Sequence, residues 1–156
     1  MRKNGWVIGA VAVAVAAAFA VTVFGGDHGG SAPEPGTCAR IEGVADKPRY
    51  LAVECGSDDA TLKVAKVVDD AKECPTGGAP YSTYTGSTTL CLIPNFVEGA
   101  CYQHDKGTGL RKVDCATTDA VRVVKAVSAL VNCGRSRAVQ YPEPVVTFCL
   151  GRAGPG

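Results

Sequence analysis

The chain has 156 residues, a formal net charge of +1 and two histidines. The sequence has no basic stripe that would suggest nucleic-acid binding and no acidic tail that would suggest a cationic partner. All eight cysteines lie after residue 37. An even number of cysteines in a short segment is typical of disulfide-bonded domains in an oxidising compartment.

The first predicted element is an uncharged, apolar run from Trp6 to Phe24, preceded by Arg2 and Lys3. As a helix it would span the ~30 Å hydrocarbon core of a bilayer. Residues 1–24 are therefore predicted to be a cytoplasmic tip and a single-pass transmembrane anchor, with the rest of the chain outside the cytosol. The alternative is a cleaved signal peptide, which would make the protein secreted. Residues 25–37 are rich in Gly and Pro and are predicted to be a flexible linker.

The cysteines form two similar sets of four, with spacings of 17, 19 and 17 and then 14, 18 and 16 positions. Residues 53–55 (VEC) match residues 113–115 (VDC), and the two sets close on similar phrases, TLCL at 89–92 and TFCL at 147–150. The sequence therefore predicts a tandem repeat. The predicted boundaries are a first four-Cys unit at 38–92, a connector at 93–100, a second unit at 101–150 and a disordered tail at 151–156.

Each unit is predicted to be a small antiparallel sheet, because its apolar runs are short and rich in β-branched residues. A helix over Asp59–Cys74 is the alternative for the first unit. The segments Pro75–Ser87 and Gly134–Pro144 are predicted to be loops. The predicted strands are Tyr50–Glu54, Leu62–Val68, Thr88–Ile93, Val121–Val127 and Val145–Leu150.

The resulting fold class is a small, disulfide-rich, mainly β protein with two tandem sheet units after an N-terminal transmembrane helix. The connector is short and apolar, so Ile93, Phe96 and Val97 are expected to be buried between the units, joining them into one rigid body.

Sequence alone allows three disulfide pairings in each unit. If Cys38 begins a strand antiparallel to residues 50–55, it ends opposite Cys55, and the other two cysteines of the unit are left to pair. The same reasoning applies to the second unit. The favoured pairs are therefore Cys38–Cys55, Cys74–Cys91, Cys101–Cys115 and Cys133–Cys149.

The sequence offers little for catalysis, and no catalytic residue, metal ligand or cofactor is assigned. No two cysteines have the spacing of a zinc site or of a Cys-x-x-Cys redox motif. His104 is expected to be an exposed turn residue. The pair Asp58-Asp59 is expected in a turn, and the pair Asp69-Asp70 is expected to diverge on a strand.

Two tyrosines, Tyr81 and Tyr84, are a possible contact patch. Tyr84 and Tyr141 precede the last cysteine of their units by seven and eight positions, so they are also expected to pack equivalently.

Residues 53–64 (VECGSDDATLKV), Glu73-Cys74-Pro75 and Leu90-Cys91-Leu92 resemble the LppU-type family of small, exported, four-cysteine envelope proteins of actinobacteria. The resemblance covers Cys38–Leu92 well and Cys101–Leu150 less closely. It implies a compartment and a fold type, and it supplies no catalytic residues.

The function expected from the sequence is therefore that of a non-catalytic, membrane-tethered, extracytoplasmic module with a binding or structural role in the cell envelope. Its expected partners are the membrane, through the N-terminal helix, and a protein or envelope component. A disulfide-rich inhibitor of an extracellular hydrolase, using Pro75–Ser87 as its exposed loop, is one alternative. A thiol–disulfide oxidoreductase is the less favoured one.

Overall fold

The computed structural model describes residues 33–43, 46–106 and 109–154. The predicted anchor, Trp6–Phe24, and residues 25–32 of the predicted linker lie outside this part of the chain. None of the helices formed by the described residues has the length and hydrophobicity needed to cross a membrane.

The first unit is a five-stranded antiparallel sheet in the order β2-β1-β3-β5-β4. A short 3₁₀ helix, Ala71–Glu73, follows β3. The strands are β1 Cys38–Glu42, β2 Arg49–Ala52, β3 Leu62–Val68, β4 Ser82–Thr85 and β5 Thr89–Pro94.

The second unit repeats this topology as β7-β6-β8-β10-β9. The mainly β fold and the tandem repeat are therefore confirmed. The strands are β6 Cys101–Asp105, β7 Gly109–Val113, β8 Val121–Val127, β9 Arg137–Pro142 and β10 Val145–Arg152.

An irregularity in strand pairing is duplicated along with the strands. In the first sheet the register between β3 and β5 shifts at Ala65, which lies between Val64, opposite Leu92, and Lys66, opposite Cys91. In the second sheet Val124 occupies the same place in β8, opposite the step from Cys149 to Leu150. A β-bulge bends its strand and re-aims the side chain of the extra residue.

Several sequence expectations need correction. Residues 62–68 form a strand, so the alternative helix over Asp59–Cys74 is wrong. Asp69 and Asp70 follow that strand instead of lying on it, and the Asp70 carboxylate caps the 3₁₀ helix by accepting the Lys72 N–H at 2.8 Å. The two segments expected to be loops contain the edge strands β4 and β9.

The ends of the units also differ from expectation. The linker ends earlier than residue 37, because Gly36 N–H donates to the Val64 carbonyl at 2.7 Å and ties the chain to the first sheet. The expected tail begins later than 151, because β10 runs to Arg152 and Ala153 N–H donates to the Ala120 carbonyl at 3.0 Å.

The disulfides join each unit internally, and no free cysteine occurs among the described residues. The pairs coincide with those favoured by the placement of the cysteines on antiparallel strands. They are Cys38–Cys55, Cys74–Cys91, Cys101–Cys115 and Cys133–Cys149. Each closes a loop of 14 to 17 residues, a size for which cross-linking contributes about 3 kcal/mol on the chain-entropy model.

The first sheet curls around its own apolar core. Leu62, Val64, Leu90 and Leu92 are buried on one face, which we call the inner face. The rings of Tyr50 and Tyr84, from the two opposite edge strands, lie 5.7 Å apart over this face.

The second sheet uses the equivalent inner face differently. Its Phe148 and Tyr141 pack against Ala65 and Ile93 on the outer face of the first sheet, the face opposite Leu92. The units are thus joined head to tail, the inner face of one against the outer face of the other. We call this contact the seam.

The connector reaches the seam through two of its three expected residues. Ile93 is buried, and the Phe96 ring packs edge-on against Tyr102 and Phe148 at 4.8 and 5.1 Å. Val97 is 47% exposed, so its expected burial is wrong. Its backbone N–H instead donates to the Tyr102 hydroxyl at 3.0 Å, which fixes the connector to the second unit.

Candidate functional site: a charged cleft between the units

A cleft of about 400 Å³ opens where the β1 side of the first unit meets β7 of the second. A cavity of this volume is within the range of small-ligand sites. It is lined by Arg40, Ile41, Glu42, Asp58, Asp59, Thr61, Leu110, Arg111 and Lys112. Three of these side chains are cations and three are carboxylates, so the lining is charge-balanced, with Ile41 and Leu110 supplying apolar surface.

Arg40 organises the first unit's side of the cleft. Its guanidinium pairs with the carboxylates of Glu42 and Asp59. Glu42 lies two positions along β1, where alternation places it on the same side as Arg40, and Asp59 lies in the turn before β3. The Nε atom of Arg40 is buried and has no hydrogen-bond partner among the described residues. A buried donor without an acceptor costs free energy.

Asp59 is held in its charged form. A hydrogen bond from the Ser57 hydroxyl is the largest cause that lowers the pKa of this carboxyl, with Arg40 acting in the same direction. A carboxyl with a lowered pKa is a poor proton donor near neutral pH and a permanent negative charge. Its chemistry suits charge recognition more than acid catalysis.

Lys112 bridges the cleft from the second unit. Its ammonium donates to Asp58 of the first unit at 2.8 Å, and this hydrogen bond is the main cause that raises the pKa of Lys112. The Asp58 side chain is 89% exposed, so this ion pair contributes little stability. It forms a polar rim that can open without disturbing the core.

Arg111 is the cleft cation least committed to the protein itself. Its guanidinium donates to the Gln103 amide oxygen at 2.7 Å, and it forms no ion pair with any described residue. Gln103 occupies in the second unit the strand position of Arg40 in the first, because both follow the unit's first cysteine by two. At this equivalent position the first unit therefore has a charged residue, Arg40, and the second unit has a neutral one, Gln103.

The residues singled out from the sequence have other positions. Tyr81 lies at the seam, where its hydroxyl donates to the Glu143 carbonyl at 2.7 Å and its ring packs on Tyr141. Tyr84 packs on Tyr50 in the core of the first unit. The two half-buried rings belong to different clusters and do not form one contact patch.

His104 lies on strand β6, exposed, and not in a turn. The segment Pro75–Ser87 does not project from the molecule as an inhibitory loop would, because Ala79 N–H donates to the Gln140 carbonyl of the second unit at 2.7 Å. Across the described part of the chain, no three His, Cys, Asp or Glu side chains are grouped so as to hold a metal ion.

Nothing in the sequence marked the cleft, because its walls come from residues far apart in the chain that meet only when the units pack. Comparison with protein-family models, with curated proteins and with solved structures gives no match.

Proposed function

We propose that this protein is a non-catalytic, membrane-tethered, extracytoplasmic module that binds a short zwitterionic ligand, of the size of a small peptide, in the cleft between its two units. The observation that carries the proposal is the Arg111 guanidinium, which lines the cleft and forms no ion pair with any described residue. A ligand carboxylate is the acceptor that matches an arginine most strongly.

The balanced charge of the cleft supports a ligand that carries both a positive and a negative charge. Asp58 and Asp59 offer carboxylates to a ligand cation, while Arg40 and Arg111 offer donors to a ligand anion. A ligand with a single charge that takes one member of the Arg40–Asp59 or Lys112–Asp58 pair would leave the other member without its partner, which is unfavourable. A free peptide or amino-acid derivative carries both charges.

Two features support an extracytoplasmic location for the Cys-rich part of the chain. Four disulfides persist in oxidising surroundings and are rare in a reducing cytosol. The apolar run Trp6–Phe24 has the length and flanking charge of an anchor that directs the residues after it out of the cytosol. The resemblance to the LppU-type family agrees with a cell-envelope location.

The ligand is tested by titrating the ¹⁵N-labelled full-length chain, in detergent, with a tripeptide with free termini and with its acetylated and amidated counterpart. We expect backbone signals of β1 and β7 to shift with the free peptide only. Arg111→Lys keeps the charge but removes the planar guanidinium that can hold a carboxylate through two hydrogen bonds, and it should weaken binding about tenfold or more. The matched control, Arg122→Lys on β8, should bind normally. Equal effects of the two substitutions, equal shifts with both peptides, or no shift with either, would overturn the proposal.

The location is tested by adding protease and a thiol-alkylating reagent to intact cells that express the full-length chain. We expect the Cys-rich part to be digested from outside and to be alkylated only after reduction. Protection from protease, or alkylation without reductant, would exclude an oxidised extracytoplasmic module.

A further inference from the structure

The edge of strand β9 carries backbone groups that another strand can pair with. Strand β9 is the outermost strand of the second sheet, with β10 on one side only. The Gln140 carbonyl accepts a hydrogen bond from Ala79 N–H at 2.7 Å, so it points away from β10. In an antiparallel ladder alternate residues point the same way. The Gln140 N–H and both backbone groups of Ala138 therefore also face outward, and no hydrogen bond from the described residues reaches them.

The chain itself begins the pairing at this edge. Segment 78–80 of the first unit lies beside β9, and it comes so close that a Cβ on Gly78 would stand 2.5 Å from the Gln140 oxygen. Pro80 has no N–H and ends this contact. Between segment 78–80 and residues 137–141 lies a cavity of about 490 Å³, which leaves room for a further strand along Ala138.

A second cavity, of about 470 Å³, flanks the same strand on the side of the 130–136 loop, and it shares Ala138 and Gln140 with the first. Leu130 lines it and is 63% exposed. Successive side chains of an extended peptide point to opposite sides. A strand laid along β9 would thus place alternate side chains towards two different cavities, which is how strand-addition sites obtain specificity.

Charge identifies the occupant. Arg135 and Arg137 are exposed at the start of β9, and neither forms an ion pair with another described residue. Glu143, at the far end of the hairpin, is already paired with Lys66 at 3.2 Å. Pairing β9 with its own copy would bring arginines together, and like charges across strands are destabilising. An acidic strand gains from the same two residues.

We propose that the edge of β9 binds an extended peptide of a partner protein in which acidic residues alternate with apolar ones, by adding it as a sixth strand to the second sheet. The acidic side chains pair with Arg137, and the apolar ones cover Leu130. This surface lies outside the cleft and shares no residue with it, so either site can fail without the other.

The test uses the full-length chain in detergent and an acetylated, amidated hexapeptide in which glutamate alternates with leucine. Two control peptides carry lysine in place of glutamate, or N-methyl groups on alternate backbone nitrogens. We expect only the first peptide to bind and to slow hydrogen exchange of the Ala138 amide, because Ala79 already lies opposite Gln140. Binding of the N-methylated peptide as well as the parent would show side-chain adhesion without strand addition and would overturn the proposal.

Two substitutions separate the backbone from the charge. Ala138→Pro removes the outward N–H, which an edge strand tolerates, and it should weaken binding about tenfold or more. The matched control is Thr83→Pro on β4, because Thr83 lies opposite Cys91 as Ala138 lies opposite Cys149. Arg137→Glu should weaken binding of the glutamate peptide on the order of fivefold and improve binding of the lysine peptide.

Each outcome decides the proposal. Equal loss with Thr83→Pro and Ala138→Pro overturns it, as does unchanged binding with Ala138→Pro. A dimer of the protein, detected by sedimentation and abolished by Ala138→Pro, would mean that the edge pairs with a second copy, and would also overturn it.

Discussion

Thr147 and Thr89 occupy equivalent buried positions in the two units, but their hydroxyl groups differ in the hydrogen bonds that they form. Thr147 is fully buried, and its hydroxyl donates to the Ala129 carbonyl at 2.7 Å and accepts the Val131 N–H at 3.3 Å. This hydroxyl therefore fixes the loop that carries Cys133. Thr89, its counterpart, is 1% exposed, and among the described residues its hydroxyl has a hydrogen bond with the Thr85 hydroxyl, at 3.3 Å.

The matched substitutions Thr147→Val and Thr89→Val measure that difference. Valine keeps the shape of threonine and removes the hydroxyl, so Thr147→Val leaves the partly buried Ala129 carbonyl and Val131 N–H without this partner. We expect Thr147→Val to lower the free energy of unfolding by about 1 to 3 kcal/mol and Thr89→Val by less than about 1 kcal/mol. Urea denaturation measures both, and equal losses would show that the loop does not depend on this hydroxyl.

Tyr141 makes the free energy of unfolding depend on pH in the alkaline range. Burial at the seam is the main cause that raises its pKa to about 12, with Tyr81 as the lesser cause. The unfolded chain releases this proton near pH 10, and the folded chain keeps it until about pH 12. The folded form therefore binds more protons between these values, and stability falls as the pH rises through them.

Tyr141→Phe removes this titration. The free energy of unfolding of the wild type should fall by roughly 2 kcal/mol more than that of the variant between pH 8 and pH 11.5. Below pH 9 the difference between the two proteins should be constant. Denaturation curves at pH 8, 10 and 11.5 test this, and a difference that stays constant throughout would contradict it.

At the scale of elements, the same bulge has two roles. Ala65, in β3, is 8% exposed and packs at the seam, whereas Val124, in β8, is 51% exposed. The re-aimed side chain meets the other unit in the first sheet and solvent in the second. The smaller of the two bulge residues, Ala65, therefore lies at the seam, where space is limited.

Substituting each bulge residue by the other, one at a time, distinguishes the effect of packing on stability from the effect of β-strand propensity. Ala65→Val adds two methyl groups to a filled seam and should destabilise the protein by about 1 to 3 kcal/mol. Val124→Ala should change the free energy of unfolding by no more than about 0.5 kcal/mol. If Ala65→Val is neutral, the seam has unfilled space at the bulge and is less tightly packed than its burial indicates.

The central strands β3, β5, β8 and β10 could be predicted because they depend on local patterns, whereas the edge strands β4 and β9 lie in segments expected to be loops. The runs at 62–68 and 121–127 have β-branched residues and turn residues before them, and the cysteine positions follow from antiparallel pairing. Tyr141 could not be placed in this way. The structural counterpart of Tyr84 is Val139, since they lie opposite Leu90 and Phe148. Tyr141 belongs to a two-pair extension of the β9–β10 hairpin that the first unit lacks, so counting back from the cysteine matched residues that are not equivalent.

The connector's part in the seam was predicted for Ile93 and Phe96, but the sheet faces that meet there and the cleft could not be predicted because they depend on how two similar sheets meet. Nothing in the repeated sequence indicates that Tyr50 and Tyr84 cover the inner face of the first sheet, or that the inner face of the second sheet is covered by the first unit. The equivalents of those tyrosines are Leu110, opposite His104, and Val139. With smaller residues there, the second inner face needs a partner, and the first unit's outer face supplies it.

At the scale of the whole molecule, this asymmetry should make the two units unfold together. The second unit lacks a closed core of its own, because Tyr141 and Phe148 are buried against Ala65 and Ile93 of the first. We therefore expect a single transition in calorimetry, with van't Hoff and calorimetric enthalpies that agree.

Two core substitutions distinguish a single cooperative unit from two independent ones. Phe148→Ala removes a ring at the seam, and Leu90→Ala cuts the core of the first unit at the equivalent strand position. Each should cost about 2 to 5 kcal/mol, and both should lower the midpoint of the same transition. Phe148→Ala should also speed hydrogen exchange in β3, in the other unit, because opening the seam exposes Ala65. Two separate transitions, each moved by only one substitution, would mean that the seam is too weak to couple the units, and that the cleft between them does not have a fixed shape.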